Sequence, residues 1–194
     1  MRYDKGHKEA SRQRIMDVAG QRFRCDGIAA TGLAAVMSDA GLTNGAFYPH
    51  FQSKADLVRE SLAAAMDEQS SLLREMIGEG GLEAVIAAYL SPEHRDKPEA
   101  GCTLAALLPE IARQPLDTRS VYMERLLNAL REMASALPPN ASDRETAVIG
   151  IYATLIGALQ LARAVNGTPL SDRVLAAGAD AARELARSAA QADA

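Results

Sequence analysis

The 194-residue sequence contains no tryptophan, two cysteines and three histidines, and aromatic residues make up only 4% of it. Two cysteines are too few for a disulfide scaffold or for a metal site built from cysteines alone. We identify no apolar run of the roughly 20 residues that a membrane-spanning helix needs. The polar N-terminus also lacks the apolar stretch of a secretory signal. We therefore expect a cytoplasmic protein with no membrane partner, no metal and no other cofactor.

The sequence also lacks the arrangements that would indicate an all-helical enzyme. Its histidines, His7, His50 and His94, do not form the His-Glu-x-x-His or Glu-x-x-His patterns of helical metalloenzymes. The glycine-rich stretch at residues 78–81 follows a predicted helix rather than a strand, so it does not resemble a nucleotide-binding loop. These absences predict that the protein is not an enzyme.

What the sequence does contain favours helix. Hydrophobic residues make up 48% of the chain, and alanine is abundant, which favours helix over sheet. Periodicity, caps and breakers predict about nine helices, at residues 8–24, 32–39, 44–50, 53–77, 82–90, 102–113, 117–137, 142–165 and 169–189. Capping boxes are predicted at Ser53 and Ser142, and single caps at Thr31 and Thr43. Residues 91–100 are predicted to be a loop, and Pro109 to kink its helix.

The net charge of −4 is unevenly distributed. Residues 1–60 carry nine Lys or Arg against seven Asp or Glu, whereas the rest of the chain carries 12 against 18. The first 24 residues alone have seven basic and three acidic side chains. This asymmetry is consistent with a basic front that meets a polyanion such as DNA, although a solvated helix face explains it equally well.

The predicted helices at residues 32–39 and 44–50 are joined by a four-residue turn that contains Gly41, which makes a helix-turn-helix candidate. Phe47 and Phe51 lie four residues apart and are predicted to face the core together. Asn44 and Tyr48 are then predicted to face outward. Pro49 removes a backbone donor and is predicted to shorten or bend the last turn of the second helix.

The run AGLTNGAFYPHFQSKADL at residues 40–57 resembles the DNA-binding domain of TetR/AcrR-type regulators. That family's pattern is an Ala-Gly turn, a short recognition helix that ends in Tyr-x-His-Phe, and then Ser-Lys and an acid before Leu. The resemblance implies an all-α fold in two parts. Residues 1–52 would be a three-helix helix-turn-helix DNA-binding domain, and residues 53–194 a helical ligand-binding and dimerisation domain.

The resemblance also implies roles for individual residues. Base contacts are expected from Thr43, Asn44 and Gly45, and phosphate contacts from Thr31, Tyr48, His50 and Lys54. Ligand contacts are expected among Met66, Gln69, Leu73, Tyr89, Cys102, Leu107, Glu110, Tyr122 and Tyr152, with Met76 and Met123 as further candidates. The dimer interface is expected to include Gly150, Gly157, Leu161, Val174, Gly178, Ala182 and Leu185.

These expectations predict a homodimeric repressor that a small-molecule effector releases from a palindromic double-stranded DNA operator. One alternative is a sensor of oxidants or electrophiles in the same family that acts through Cys102, because a thiol at a helix N-terminus is reactive. A second alternative is an all-helical binding protein that makes no DNA contact.

Overall fold

The computed structural model describes residues 4–139, 141 and 143–191, and among these residues it contains helices and no strand. The eight α-helices are α1 (Asp4–Asp26), α2 (Leu33–Asp39), α3 (Lys54–Tyr89), α4 (Pro92–Asp96), α5 (Thr103–Ile111), α6 (Leu116–Ser135), α7 (Arg144–Ala164) and α8 (Pro169–Gln191). Two short 3₁₀ helices lie at Asn44–Ala46 and Pro98–Ala100. The all-α prediction is confirmed.

We refer to residues 4–52 as the head and to the described residues from 53 onward as the body. The head is built on one hydrophobic core, but body residues complete that core: the first turns of α3 contribute Leu57 and Leu62, and α5 contributes Leu107. The two parts are therefore packed as neighbours rather than tethered. The predicted boundary between residues 52 and 53 stays a prediction.

The long helix α3 covers two predicted helices. Its backbone leaves helical geometry at Gly80 and Gly81, where Gly81 has φ +62°, a conformation that a side chain would strain. The predicted stop is thus a break between two helical segments that follow each other directly. The first segment reaches from the head into the body, and the second carries Tyr89 to one end of the body core.

The region predicted to be a loop contains α4. Ser91 caps this helix, its hydroxyl accepting from the His94 N–H at 3.1 Å, and Pro92 occupies the first helical position. A cap residue followed by proline is a helix start signal that the sequence analysis overlooked here. It places His94 beside the body core.

Helix α5 continues through Pro109. A proline has no N–H, so the carbonyl of Ala105, four residues earlier, loses its helical partner. The side-chain amide of Gln160 on α7 donates to that carbonyl instead. Helix α7 thus supplies the hydrogen bond that Pro109 removes from α5, and the predicted kink at Pro109 stays a prediction.

The four predicted helix caps have different outcomes. Ser53 accepts from Asp56 N–H, as predicted, but the shorter Asp56 side chain reaches back to Gln52 N–H. Ser142 lies outside the described residues, and Asp143 caps α7 by accepting from Thr146 N–H. Thr31 and Thr43 make no side-chain cap bond: Gly32 is the N-cap of α2, and Thr43 holds the N-cap position with its backbone alone.

Helices α7 and α8 form an antiparallel pair along the side of the body. Leu155 and Leu159 of α7 are fully buried in the hydrophobic core of the body. Contrary to our expectation, the length and composition of α7 would allow it to cross a membrane. In the protein, 33% of its most apolar 18-residue stretch is buried. A core helix passes the same test, so this is weak evidence for a membrane span.

Candidate functional site

The turn after α2 is closed by two backbone hydrogen bonds. Leu42 N–H donates to Met37 C=O at 2.9 Å, and Gly41 N–H donates to Ser38 C=O at 3.0 Å. This pair is a Schellman motif, which requires a left-handed residue, and Gly41 supplies it with φ +68°. The turn therefore fixes the direction of the chain into the next element.

That next element is shorter than predicted. Instead of a helix over residues 44–50, one 3₁₀ turn covers Asn44–Ala46, followed by a helical bond from Phe51 N–H to Phe47 C=O. Pro49 has no N–H to donate to Gly45 C=O, so a regular α-helix cannot close across it. The predicted shortening by Pro49 is confirmed, and it extends to the whole element.

The two faces of this element have opposite character. Phe47 and Phe51 are each 1% exposed and their rings lie 5.5 Å apart, as predicted. Tyr48, by contrast, is 72% exposed, and Asn44 and Gly45 are also exposed. The buried rings hold the backbone in place, and Asn44, Gly45 and Tyr48 face solvent.

His50 lies at the edge of this surface, half-buried, and its Nδ1 has no hydrogen-bond partner among the described residues. Burial lowers its pKa, and the nearby positive charges of Lys8 and Arg12 lower it further. Arg12 is committed to an ion pair with Glu60 and lies over the Phe51 ring. Lys8 is exposed, and sequence reasoning did not single it out individually.

Two further predicted phosphate contacts, Thr31 and Lys54, differ in their exposure. Thr31 is 2% exposed and its hydroxyl donates to Gly27 C=O at 2.7 Å. This corrects the expectation for Thr31, because a buried, committed hydroxyl cannot reach a phosphate. Lys54 is the half-buried first residue of α3. Thr43, which is expected to contact bases, is exposed beside Asn44.

The body contains a partly open cavity of about 230 Å³ between α3, α5, α6 and α7. Most of its wall is apolar. Six of the nine predicted ligand residues line it: Met66, Gln69, Leu73, Tyr89, Cys102 and Tyr152. The additional candidate Met76 lines it too, as do His94, Leu104, Met133 and Leu155, which sequence reasoning missed.

The other predicted ligand residues lie elsewhere. Leu107 packs into the core of the head, and Tyr122 and Met123 line a separate pocket between α5 and α6. Glu110 points away from the cavity toward the head. The sequence spacing did not separate the inner and outer sides of α5 and α6, because Pro109 and Pro115 obscure their periodicity.

One end of the cavity holds a cluster of hydroxyl and thiol groups. The Tyr89 hydroxyl is buried and has no hydrogen-bond partner among the described residues. Burial raises the pKa of both Tyr89 and Tyr152 well above the ordinary value, and the neighbouring Cys102 raises both further. Both tyrosines are therefore neutral hydroxyls near neutral pH.

Side chains from other elements hold the N-terminal end of α5. Cys102 N–H donates to His94 Nε2 at 3.0 Å, so His94 Nδ1 carries the hydrogen and donates to Tyr89 C=O at 2.7 Å. Gln69 accepts from Thr103 N–H and donates to Gly101 C=O. Orphan donors at this helix end are thus satisfied by residues that also line the cavity.

The C-terminal end of α5 is tied to the head. The Glu110 carboxylate accepts from Ile28 N–H at 3.1 Å and from Ala29 N–H at 2.8 Å. Gly27 makes this approach possible, because a Cβ there would lie 2.5 Å from Glu110 Oε1, and its φ is +87°. Helix α5 therefore connects the cavity wall with the loop that precedes α2.

An unpartnered apolar surface runs along α7 and α8. Leu161 is 62% exposed, and Gly157 and Ile149 are exposed on the same stripe of α7. Leu185 is exposed on α8, whereas Gly150 and Val174 are half-buried. Among predicted interface residues, Gly178 and Ala182 are corrected: both are buried within the protomer, and a Cβ on Gly178 would clash with Ala158 Cβ.

Within the part of the chain that the structure describes, no three His, Cys, Asp or Glu side chains come together as a possible metal site. A helix-turn-helix with an exposed second element, packed on an all-helical body, defines the class of DNA-binding transcriptional regulators.

Comparison with known proteins points to one family. Residues 15–61 match the family model described as bacterial regulatory proteins, tetR family. The chain is thus similar to TetR-family transcriptional regulators, and the family-model match lies in the head and the start of α3.

Relatives include the HTH-type transcriptional repressor KstR2 of Rhodococcus jostii, 25% identical over 131 residues. That match covers 67% of this chain and 64% of KstR2, less than two thirds of its length. The HTH-type transcriptional regulator TtgR of Pseudomonas putida is 26% identical over 166 residues, covering 86% of this chain and 71% of TtgR.

Solved structures share the fold. The transcriptional regulator of the TetR family from Cytophaga hutchinsonii has a TM-score of 0.76 and 19% identity, covering 92% of this chain and 96% of that one. The reduced form of E. coli NemR has a TM-score of 0.73 and 19% identity, covering 87% and 95%.

Proposed function

We propose that the protein is a homodimeric, cytoplasmic repressor that binds a palindromic DNA operator and is released by a small molecule. Residues 1–52 would bind DNA, and residues 53–194 would bind the effector and the second subunit. The single observation that carries the proposal is the two-faced element after the Gly41 turn. Its phenylalanines are buried while Asn44 and Tyr48 are exposed.

This element suits a major groove. Thr43, Asn44 and Gly45 are exposed together at its start, and the asparagine amide offers a donor and an acceptor to a base edge. Tyr48, His50 and Lys54 offer polar tips for phosphate oxygens. Lys8 adds an exposed positive charge close to His50. Because one such short element reads few bases, specificity requires two copies on a twofold site.

Selection of bound fragments from a random DNA library, followed by mobility-shift titration of the enriched sequence, tests DNA binding. We expect a palindrome whose half-sites are separated by about one helical turn. Failure to enrich any sequence would support instead the helical binding protein without DNA contact.

The exposed surface of α7 and α8 supports the dimer. A large exposed apolar side chain such as Leu161, with Gly157 beside it, suits close approach of a second copy. Leu161→Asp should convert the dimer to a monomer in sedimentation experiments. Leu116→Asp is the matched control, because Leu116 is 74% exposed at the start of α6, and it should leave the dimer intact.

Helix α5 supports the ligand response. Residues that line the cavity satisfy its N-terminal end, and Glu110 ties its C-terminal end to the head. A ligand that displaces the cavity wall would therefore move the loop before α2. Linkage requires DNA to weaken effector binding by the same factor by which the effector weakens DNA binding. Equal effector affinity with and without operator would contradict the coupling.

A second candidate function is a thiol sensor. Cys102 lines the cavity and is half-buried beside Tyr89 and Tyr152, and the NemR fold is compatible with this role. An electrophile such as N-ethylmaleimide should then release DNA from the wild type but not from Cys102→Ser. Cys25→Ser is the control, because partial burial and nearby Glu99 and Asp26 raise the pKa of Cys25 and disfavour its thiolate. Release that persists in Cys102→Ser would exclude this candidate.

A further inference from the structure

We propose that the cavity binds an uncharged, mainly apolar molecule of one ring that carries a hydrogen-bond acceptor for the Tyr89 hydroxyl. This inference rests on the proposed function only in treating the bound molecule as an effector of DNA binding. The binding of the molecule to the cavity is independent of DNA.

The Tyr89 hydroxyl is the polar group in the wall that a ligand can best use. Tyr89 lines the cavity, and its buried oxygen has no partner at hydrogen-bonding distance among the described residues; the nearby Cys102 thiol is only a weak partner. A buried hydroxyl without a partner is costly, so a ligand that accepts its hydrogen gains from a group already desolvated. The edge-on contact between the Tyr89 and His94 rings, 4.7 Å between centroids, holds the ring in this position.

Most of the other polar groups in the wall are already engaged; the Tyr152 hydroxyl and the Cys102 thiol are the exceptions. Both nitrogens of His94 are used by Cys102 N–H and Tyr89 C=O. Gln69 is committed to the N-terminal end of α5. Ser70 donates to Glu132. A ligand therefore meets few polar groups, and a single acceptor suits the site better than a polyhydroxylated molecule.

The charged groups of the wall favour an uncharged ligand. The described wall contains no carboxylate, so a cationic ligand would be unpaired. Its one guanidinium, on Arg125, already pairs with Asp67 at 2.9 Å and donates to Ala63 C=O. Tyr89 and Tyr152 are neutral because burial raises the pKa of each. An anion would thus have to compete with Asp67 for its counter-charge.

The size of the cavity limits the ligand. An apolar cavity of about 150 Å³ holds benzene. By the same proportion, the cavity of about 230 Å³ suits a molecule of about nine non-hydrogen atoms. Three methionines in the wall, Met66, Met76 and Met133, allow the cavity to adapt to the shape of the ring.

Three probes of equal size separate these arguments: acetophenone, cumene and benzoate, which share a benzene ring and differ in the acceptor and the charge. Binding is measured by calorimetry on the full chain without DNA. ¹³C-methyl signals of Met66 and Met76 report the location, and those of Met37, buried in the head, serve as the reference. We expect acetophenone to bind at least about tenfold more tightly than benzoate, and to shift only the cavity methyls.

The decisive comparison uses Tyr89→Phe. We expect acetophenone affinity to fall about three- to tenfold, the effect of one hydrogen bond, and cumene affinity to change less than about twofold. Tyr48→Phe is the matched control, because Tyr48 is 72% exposed on the head and binding is measured without DNA, so it should change neither affinity. Equal loss of both ligands in Tyr89→Phe, tightest binding of benzoate, or no binding of acetophenone and cumene would overturn the inference.

A measurement on the unmutated protein covers the case in which Tyr89→Phe does not fold. The carbonyl stretch of bound acetophenone should lie at lower frequency than in hexane, because a donated hydrogen bond weakens the C=O bond. A frequency equal to that in hexane would overturn the inference. Acetophenone that binds as expected but leaves operator binding unchanged would instead contradict only the ligand-released repressor.

Discussion

The head and the body use opposite ways of making a functional site. The head fills its interior with Phe47, Phe51 and their neighbours and presents its polar residues on the outside. The body leaves space between α3, α5, α6 and α7, and an unpaired polar group, the Tyr89 hydroxyl, lies in the wall of that space. A site on a surface depends on a rigid core beneath it, whereas a site in a cavity depends on what the surrounding helices do not fill.

The largest expected effect tests the filled core of the head. Phe51→Ala should lower the free energy of unfolding by about 3–5 kcal/mol, because it leaves a cavity under the two-faced element. Met76→Ala in the body wall should cost less than about 2 kcal/mol, because Met76 already borders empty space. Urea unfolding measures both. Similar losses for the two variants would remove the contrast between head and body.

The reverse substitution sharpens the same contrast. Ala19→Leu inserts a larger side chain at a fully buried position of α1 and should cost about 1–3 kcal/mol through overpacking. Ala129→Leu points a similar side chain at the cavity and should be tolerated within about 1 kcal/mol. It should also weaken acetophenone binding. A large destabilisation by Ala129→Leu would indicate that the cavity is not free to accept a ligand.

A smaller effect concerns the link between the two parts. Glu110→Gln keeps the length of the side chain but offers only one acceptor to Ile28 and Ala29 N–H, and should cost about 1–2 kcal/mol of stability. The factor by which effector weakens DNA binding should also fall. Glu75→Gln, at an exposed position of α3, is the control. An unchanged coupling factor in Glu110→Gln would mean that the link is structural only.

The smallest effect is a dependence of stability on pH. Burial lowers the pKa of His94 below its ordinary value of 6.5, although the bond to Tyr89 C=O opposes the shift; Arg163 lowers it further. The unfolded chain therefore binds a proton near pH 6.5 that the folded chain does not yet bind. Stability should fall as pH drops below about 6.5 and level off once folded His94 is protonated.

His94→Gln removes this proton uptake, so its unfolding free energy should change less between about pH 7.5 and about pH 5.5 than that of the wild type. His7→Gln, on the exposed N-terminal part of α1, should behave like the wild type. The assignment fails if His94→Gln retains the full pH dependence.

The comparison of the two parts also explains what could be predicted from the sequence. In the head, order along the chain was sufficient: the Gly41 turn, the burial of Phe47 and Phe51 and the exposure of Tyr48 all follow from local spacing. The length of the element after the turn and the capping roles of Thr31 and Thr43 were not predicted correctly. The Thr31 hydroxyl donates to Gly27 C=O one turn earlier, a choice that the sequence does not reveal.

In the body, residue type identified part of the cavity but not its limits. Glu110 looked like a polar ligand contact because its true partners, Ile28 and Ala29 N–H, lie about 80 residues away in the chain. Gly178 looked like an interface residue because a small residue allows close approach to any helix, and the helix it approaches is α7 of the same chain. Pairings between distant helices decide both cases.

The central claim is that the exposed face of the two-faced element reads DNA, and Asn44→Ala tests it most directly. Affinity is titrated for the selected operator and for a random fragment at two salt concentrations. The account predicts about a tenfold or greater loss on the operator, with non-specific affinity and its salt dependence unchanged. Equal affinity of Asn44→Ala and wild type for the operator, or an equal loss on both DNAs, would contradict it.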